Sequence, residues 1–192
     1  MRAGFYPPID PYAIGALETG DGHTLYWETC GNPNGKPALF LHGGPGGGCS
    51  TDNRRLFDPD LYRIILFDQR GAGRSKPIGA LNQNTTQHLI ADIERLRNML
   101  GVTRFHCVLG GSWGATLALT YAQAFPQNVK SLVLRGVFTA RQREVDWLYG
   151  DGARHLFPEA HAAFENFIPV TERNDLVRAY YQRLTCGDED QE

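Results

Sequence analysis

The chain has 192 residues, 42% of them hydrophobic and 21% charged, an ordinary composition for one globular domain with a sizeable core and one that excludes extensive disorder. Nineteen Lys and Arg against 21 Asp and Glu leave a formal charge of -2, so nothing pulls the chain broadly toward nucleic acid or an anionic membrane, and a small or neutral ligand is expected. No apolar run of signal-peptide length opens the sequence and no later window approaches a membrane span, which makes cytoplasmic residence the expectation. Cys30, Cys49, Cys107 and Cys186 form no close pairs and read as free thiols.

In chain order, Thr24 to Thr29, bounded by Asp21-Gly22 and Gly31-Asn32-Pro33, reads as an early antiparallel strand. Four short, largely apolar runs follow: Ala38 to Leu41, Tyr62 to Phe67, Phe105 to Leu109 and Val129 to Leu134. Runs of this kind are buried on both faces and suggest a parallel sheet. Between the second and third, Leu89, Ile93, Leu96 and Leu100 recur at helical spacing, with Thr85 or Thr86 as N-cap candidates and Gly101 closing the end. A second helix is expected from Trp113 to about Phe125, where Pro126 stops it. Strand, helix and strand repeated in this way predict an α/β, doubly wound, mostly parallel sheet.

After Phe138 the alternation ends. Residues 141–149, 158–167 and 174–184 read as helices with no strands between them, so two parts are expected, residues 1–140 and residues 141–192. The acidic end, 187–192, has nothing to bury and is expected to fray.

The sharpest chemical signal is Gly110-Gly111-Ser112-Trp113-Gly114, a G-x-S-x-G set between an apolar run and a helix, the context a nucleophile elbow requires. Glycines are needed there because the serine sits in a tight turn where neighbouring side chains would collide with strand and helix. A second signal, His42-Gly43-Gly44-Pro45-Gly46-Gly47-Gly48, follows the run ending at Leu41 and lets backbone N–H groups approach a reacting carbonyl. In a serine hydrolase of this kind one oxyanion donor is the amide after the nucleophile, here Trp113, and the other comes from this loop, here Gly44. The glycine loop matches neither G-x-x-x-x-G-K-[ST] nor G-x-G-x-x-G, which argues against a phosphate cradle, and His42 reads as a turn-stabilising residue rather than a base.

The third signal is Asp68-Gln69-Arg70-Gly71-Ala72-Gly73-Arg74-Ser75, where Asp68 and Arg70 are expected to pair with each other or to order the glycine turn. Together, H-G-G-P-G-G, D-Q-R-G-x-G-x-S and G-G-S-W-G in this order resemble the proline iminopeptidase family of α/β-hydrolases, with surrounding segments similar from near Tyr6 to at least Leu184. The resemblance implies an α/β-hydrolase fold with the start of a helical cap. It implies attack by Ser112 on the carbonyl of an N-terminal proline, an oxyanion hole of the Gly44 and Trp113 amides, and no metal or organic cofactor. Gly43 and Phe138 become the expected substrate-binding positions, short peptides with N-terminal proline the expected partners, and Trp147, Leu148 and Tyr149 the junction into the cap.

In this fold the nucleophile is followed in the chain by an Asp or Glu and then a His. Only 80 residues follow Ser112, and they are taken up by one strand and the opening cap helices, so the acid and base are expected outside this sequence and the last strands of the sheet with them. His155 and His161 flank Phe157-Pro158 at a helix start, while His23, His88 and His106 precede Ser112; all five read as surface or packing residues. The run from Val129 is then an open sheet edge that invites pairing with another chain. Two other readings stand beside the peptidase: a non-catalytic remnant or interaction module, and an esterase or amidase of the same fold.

Overall fold

The computed structural model describes residues 4–186, so the expected frayed end at 187–192 lies outside the described residues. The chain divides into two compact units, residues 1–139 and 140–192.

The first unit is built on a six-stranded sheet in the order β1-β2-β4-β3-β5-β6. Its strands are β1 (Ala13–Glu18), β2 (Thr24–Gly31), β3 (Lys36–Leu41), β4 (Tyr62–Phe67), β5 (Cys107–Gly111) and β6 (Leu132–Arg135). β1 and β2 pair antiparallel, β2 pairs antiparallel with β4, and β3 to β6 run parallel. The helices α1 (Thr86–Met99) and α2 (Trp113–Ala124) supply the crossovers into β5 and β6. Thr85 is the N-cap of α1, as expected, and α2 ends just before Pro126.

Three details differ from the sequence expectation. β1 was not anticipated: its Gly15 and alanines carry little strand propensity, but a Cβ at Gly15 would stand 2.5 Å from the Trp27 ring on β2, so glycine is what lets the two strands pair. The expected strand Phe105 to Leu109 instead runs Cys107–Gly111, and the expected strand Val129 to Leu134 runs Leu132–Arg135. Phe105 and Val129 join only through an isolated bridge, whereas Gly110 and Gly111 are carried into the ladder by pairing with Leu134 and Arg135.

The sheet is covered by apolar packing on both faces. One cluster gathers Leu39, Leu41, Ile65, Phe67, Leu89, Ile93, Leu96, Leu117 and Tyr121 between the sheet, α1 and α2. On the other side Cys30, Ala38, Phe40, Phe57, Ile64, Leu66 and Cys107 form a smaller one. Each large aliphatic or aromatic side chain so buried contributes about 1.5–3 kcal/mol. Cys30, Cys49 and Cys107 are free thiols, and burial pushes the Cys30 thiol up to about 12.

The second unit contains α3 (Gln142–Tyr149), α4 (Asp151–Leu156), α5 (Pro158–Asn166) and α6 (Leu176–Leu184), with a 3-10 turn at Val170–Glu172. α4 falls between the expected helices 141–149 and 158–167, in a stretch to which the sequence assigned no element. The buried apolar residues of the second unit, among those described, are Ile168, Leu176 and Ala179, flanked by Phe164 and Tyr180, whose rings stack with centroids 4.4 Å apart. Among the described residues no helix is long and apolar enough to cross a membrane.

Candidate functional site

The three glycine-bearing motifs sit at the carboxyl ends of adjacent parallel strands, β4, β3 and β5, where the strand order reverses direction and open α/β sheets bind their ligands. Ser112 lies between β5 and α2 with φ 55° and ψ −122°, and its side chain is exposed. Its N–H donates to the Arg135 carbonyl at 2.9 Å and its carbonyl accepts from Ala115 N–H at 2.8 Å, so both neighbours of the elbow hold it. The turn is tight enough to dictate its flanks: a Cβ on Gly110 would be driven into the Gly114 carbonyl, and one on Gly114 into the carbonyl of Leu41 on β3.

The backbone of the glycine loop runs alongside. A Cβ on Gly43 would stand 3.4 Å from the Ser112 Cβ and 2.8 Å from the Gly111 carbonyl oxygen. Gly44 follows with φ 117°, a conformation open to glycine, and Gly47 N–H closes the loop onto the Gly43 carbonyl at 3.1 Å. Trp113 is the first residue of α2, where amides have no intrahelical carbonyl to bond and the helix dipole favours negative charge. Phe138 is half-buried, and its carbonyl accepts from Thr116 Oγ1 at 2.6 Å, which ties it to α2 one turn beyond Ser112. Gly43, Gly44, Ser112, Trp113 and Phe138 are thus brought to one end of the sheet. Trp147, Leu148 and Tyr149 belong to α3 in the second unit and are about half exposed.

His42 is buried, and both ring nitrogens are engaged. Nδ1 stands 3.0 Å from the Gly43 carbonyl and 3.2 Å from the Gly48 N–H; because Nε2 accepts from the Gln69 N–H, the shorter contact at 2.9 Å, the neutral ring carries its proton on Nδ1, toward the Gly43 carbonyl. Burial lowers its pKa below the ordinary range, in keeping with a neutral ring that shapes the loop. The other histidines are occupied elsewhere: His23 with the Asn82 carbonyl, His88 with Thr85, His155 with the Asp151 carbonyl and His161 with the Tyr149 carbonyl. His106 packs edge-on against Tyr62.

Of the two roles expected for Asp68 and Arg70, pairing with each other is not formed, whereas Asp68 does order the glycine turn. Asp68 binds Arg74 at 2.8 Å and accepts from the Cys49 and Arg74 amides at 2.7 and 2.9 Å, pinning the end of the glycine loop to the turn after β4. Burial would push its carboxyl up, but the bonds from Arg74 and Cys49 outweigh this and hold it low. Arg70 points instead to the fully buried Asp92, at 2.6 Å, and to Asp21 at 2.7 Å. Both residues lie in the turn beyond β4, which ends at Phe67, so strand alternation no longer sets their directions and each meets what packs beside it: the glycine loop for Asp68 and α1 for Arg70. Hydrogen bonds from Thr19 and then Arg70 bring Asp21 down to about 2.

Two residues that the motif reading passed over prove to connect the site. Gln69, 2% exposed, accepts from Trp113 Nε1 at 3.0 Å and donates from Nε2 to the His42 carbonyl at 2.9 Å. Thr116 anchors Phe138. The available signal was a neutral amide between two charged residues at a strand's end and a hydroxyl one helical turn after the serine. Among the described residues no group of three His, Cys, Asp or Glu is placed to hold a metal ion.

The chain is 55% identical to the proline iminopeptidase of Xylella fastidiosa (strain 9a5c) over 184 residues, 96% of this chain and 58% of that protein. It is 53% identical to the proline iminopeptidase of Arabidopsis thaliana, covering 95% of this chain and 48% of that one. The chain therefore spans about half to three-fifths of the length of these curated relatives. Among solved structures, a proline iminopeptidase-related protein of Thermus thermophilus superposes with a TM-score of 0.57 at 35% identity, over 66% of this chain and 44% of that one. A Vigna radiata epoxide hydrolase gives 0.57 at 27% identity, over 76% and 44%. Residues 36–177 match the family model described as alpha/beta hydrolase fold, and the chain belongs to that family.

Proposed function

We propose that this sequence carries the nucleophile and oxyanion hole of a serine aminopeptidase that releases N-terminal proline from short peptides. The observation that carries the reading is the meeting of Ser112, held at φ 55° on the strand-to-helix turn, with the Gly43-Gly44 backbone beside it. The likeness to proline iminopeptidases at 53–55% identity supports the substrate.

In this mechanism Ser112 Oγ attacks the prolyl carbonyl, and its proton passes to a general base. The negative charge that develops on the carbonyl oxygen is met by the Gly44 and Trp113 amides, the second reinforced by the positive end of α2. Collapse of the tetrahedral intermediate returns the proton to the leaving amine, and water then hydrolyses the prolyl ester on Ser112. No metal or organic cofactor enters these steps. Gly43 and Phe138 line the substrate side, Phe138 offering an apolar surface to the pyrrolidine ring. The general base and its carboxylate partner are assigned to the part of the relatives' length that this sequence does not span, and the helices after residue 140 to the beginning of a cap.

The test is hydrolysis of proline 4-nitroanilide by the full-length protein. Ser112→Ala is expected to lower kcat by at least about 10³-fold. Unchanged turnover in that variant would sink the nucleophile assignment, and equal kcat/KM on the alanine anilide would sink the proline preference. Complete inactivity of the native protein would favour a binding module.

A further inference from the structure

We propose that Gln69 is a positioning residue that aligns both oxyanion donors at once, by clamping the Trp113 indole to the backbone of the glycine loop. This rests on the serine-hydrolase reading above and adds to it the residue that sets the hole's geometry.

The clamp follows from four hydrogen bonds. Gln69 Oε1 accepts from Trp113 Nε1–H at 3.0 Å, and Gln69 Nε2 donates to the His42 carbonyl at 2.9 Å. Its backbone N–H donates to His42 Nε2 at 2.9 Å, and His42 Nδ1–H reaches the Gly43 carbonyl at 3.0 Å. Each end of the Gln69 amide thus meets a partner of opposite polarity, and a flipped amide would set donor against donor and acceptor against acceptor. With the side chain 2% exposed, water cannot substitute for either partner.

What the clamp does is fixed by peptide planarity. In a trans peptide the C=O of one residue and the N–H of the next point in opposite directions. The cis bonds among the described residues are Gly44-Pro45 and Lys76-Pro77, so the Gly43-Gly44 peptide is trans. Its carbonyl is held by His42 Nδ1–H and by Gly47 N–H, which turns the Gly44 N–H the other way. Gln69 grips His42 through its ring and its carbonyl together, so the orientation of the Gly44 amide is inherited from Gln69. Through the indole, the same side chain anchors Trp113, whose own amide is the second donor. Two donors on separate loops are thereby referenced to one rigid amide, and an oxyanion hole works only when both point at the place where charge develops.

The experiment compares kcat and KM for proline 4-nitroanilide in the full-length native protein, Gln69→Met, Gln69→Glu and Trp113→Phe. Gln69→Met keeps the volume and removes both side-chain bonds; kcat is expected to fall about 10- to 100-fold with KM within about twofold, because the loss is felt mainly in the transition state. Trp113→Phe combined with Gln69→Met should cost little more than Gln69→Met alone, since the two remove one shared contact. Gln69→Glu guards against a Met variant that fails to fold. When protonated, its carboxyl accepts from the indole and donates to the His42 carbonyl; when ionised, it has no proton to donate. The ratio of variant to native kcat should therefore rise as pH falls, by about tenfold from pH 8 to pH 6, a signature that simple loss of packing does not produce. A ratio flat with pH, or a Gln69→Met variant that raises KM at unchanged kcat, would overturn the clamp while leaving the nucleophile in place. Failure of the underlying reading shows differently: turnover that survives Ser112→Ala, or none in the native protein, removes the serine reading and this inference with it.

Discussion

The two units earn their order by different means. In the first, apolar side chains far apart in sequence meet on both faces of a six-stranded sheet, and charged groups are buried in complementary sets such as Glu28 with Arg54 and Arg70 with Asp92. In the second, the buried apolar side chains among the described residues are Ile168, Leu176 and Ala179, and order comes from nearby contacts: the stack of Phe164, Tyr180 and Phe167, the Asp175 cap on α6, and Arg183 with Glu172. Leu156, Phe157, Phe167, Val170 and Tyr181 are all more than half exposed. Long-range burial makes a structure sensitive to single atoms, while local caps and ring contacts make one that loses stability in small steps.

That contrast is open to direct test. The largest effect is expected from Gly110→Ala, whose methyl has no space against the Gly114 backbone: the first unit should lose more than about 4 kcal/mol or fail to fold, read from urea denaturation or soluble yield. A native-like midpoint would show that the elbow yields more than its packing suggests. Next is Arg54→Met. It strands the Glu28 carboxylate, 1% exposed and bonded by Arg54 Nε and Nη2 at 2.7 and 3.0 Å, and should cost about 3–5 kcal/mol. A cost below about 1 kcal/mol would mean that Arg74 and Tyr26, which also bond Glu28, suffice to hold it.

Acid should then act chiefly on the first unit. Burial pushes Glu28, Asp68 and Glu94 upward, but their arginine, tyrosine and amide partners win and depress all three, and Asp21 falls to about 2. Groups with folded pKa values below the unfolded ones contribute stability above the unfolded value and lose it as pH falls through the folded one. Denaturation midpoints should therefore decline from about pH 4 toward pH 2, and Arg54→Met should flatten the decline. A midpoint constant across that window would contradict the assignment. The smallest effect is expected from Asp175→Ala in the second unit. Losing the bond from the Arg178 amide, 3.0 Å from the Asp175 carboxylate, should weaken α6 by about 1 kcal/mol, measurable as faster amide exchange over 176–184. Global unfolding of that variant would show that the second unit is less locally built than its contacts indicate.

Much of the first unit was legible because its signals are local and strong. The apolar run Tyr62 to Phe67 is β4 as read, and the spacing of Leu89, Ile93 and Leu96 gave α1 with its Thr85 cap. The misses have physical reasons. Propensity ended β5 at Leu109, because glycine disfavours strands, yet the ladder to β6 carries Gly110 and Gly111 along. β1 was hidden for the same reason: its Gly15 is explained only by Trp27 across the sheet. At the site, glycine patterns marked which backbones come close. Which side chains tie them could not be read, since partners such as Arg74 for Asp68 and Trp113 for Gln69 are chosen by three-dimensional proximity rather than spacing.

Ser112 carries a further consequence at φ 55°. A non-glycine residue held in such a sparsely populated region costs on the order of 1–3 kcal/mol, and glycine at the same position would relieve most of it. The fold gives up stability at the one residue proposed to do chemistry. Under relaxed selection the trade runs backward: a gene copy no longer kept for turnover gains robustness by exchanging this serine for glycine. Descendants of this fold that have abandoned catalysis are expected to drift toward a sturdier elbow, and a glycine there would mark that history.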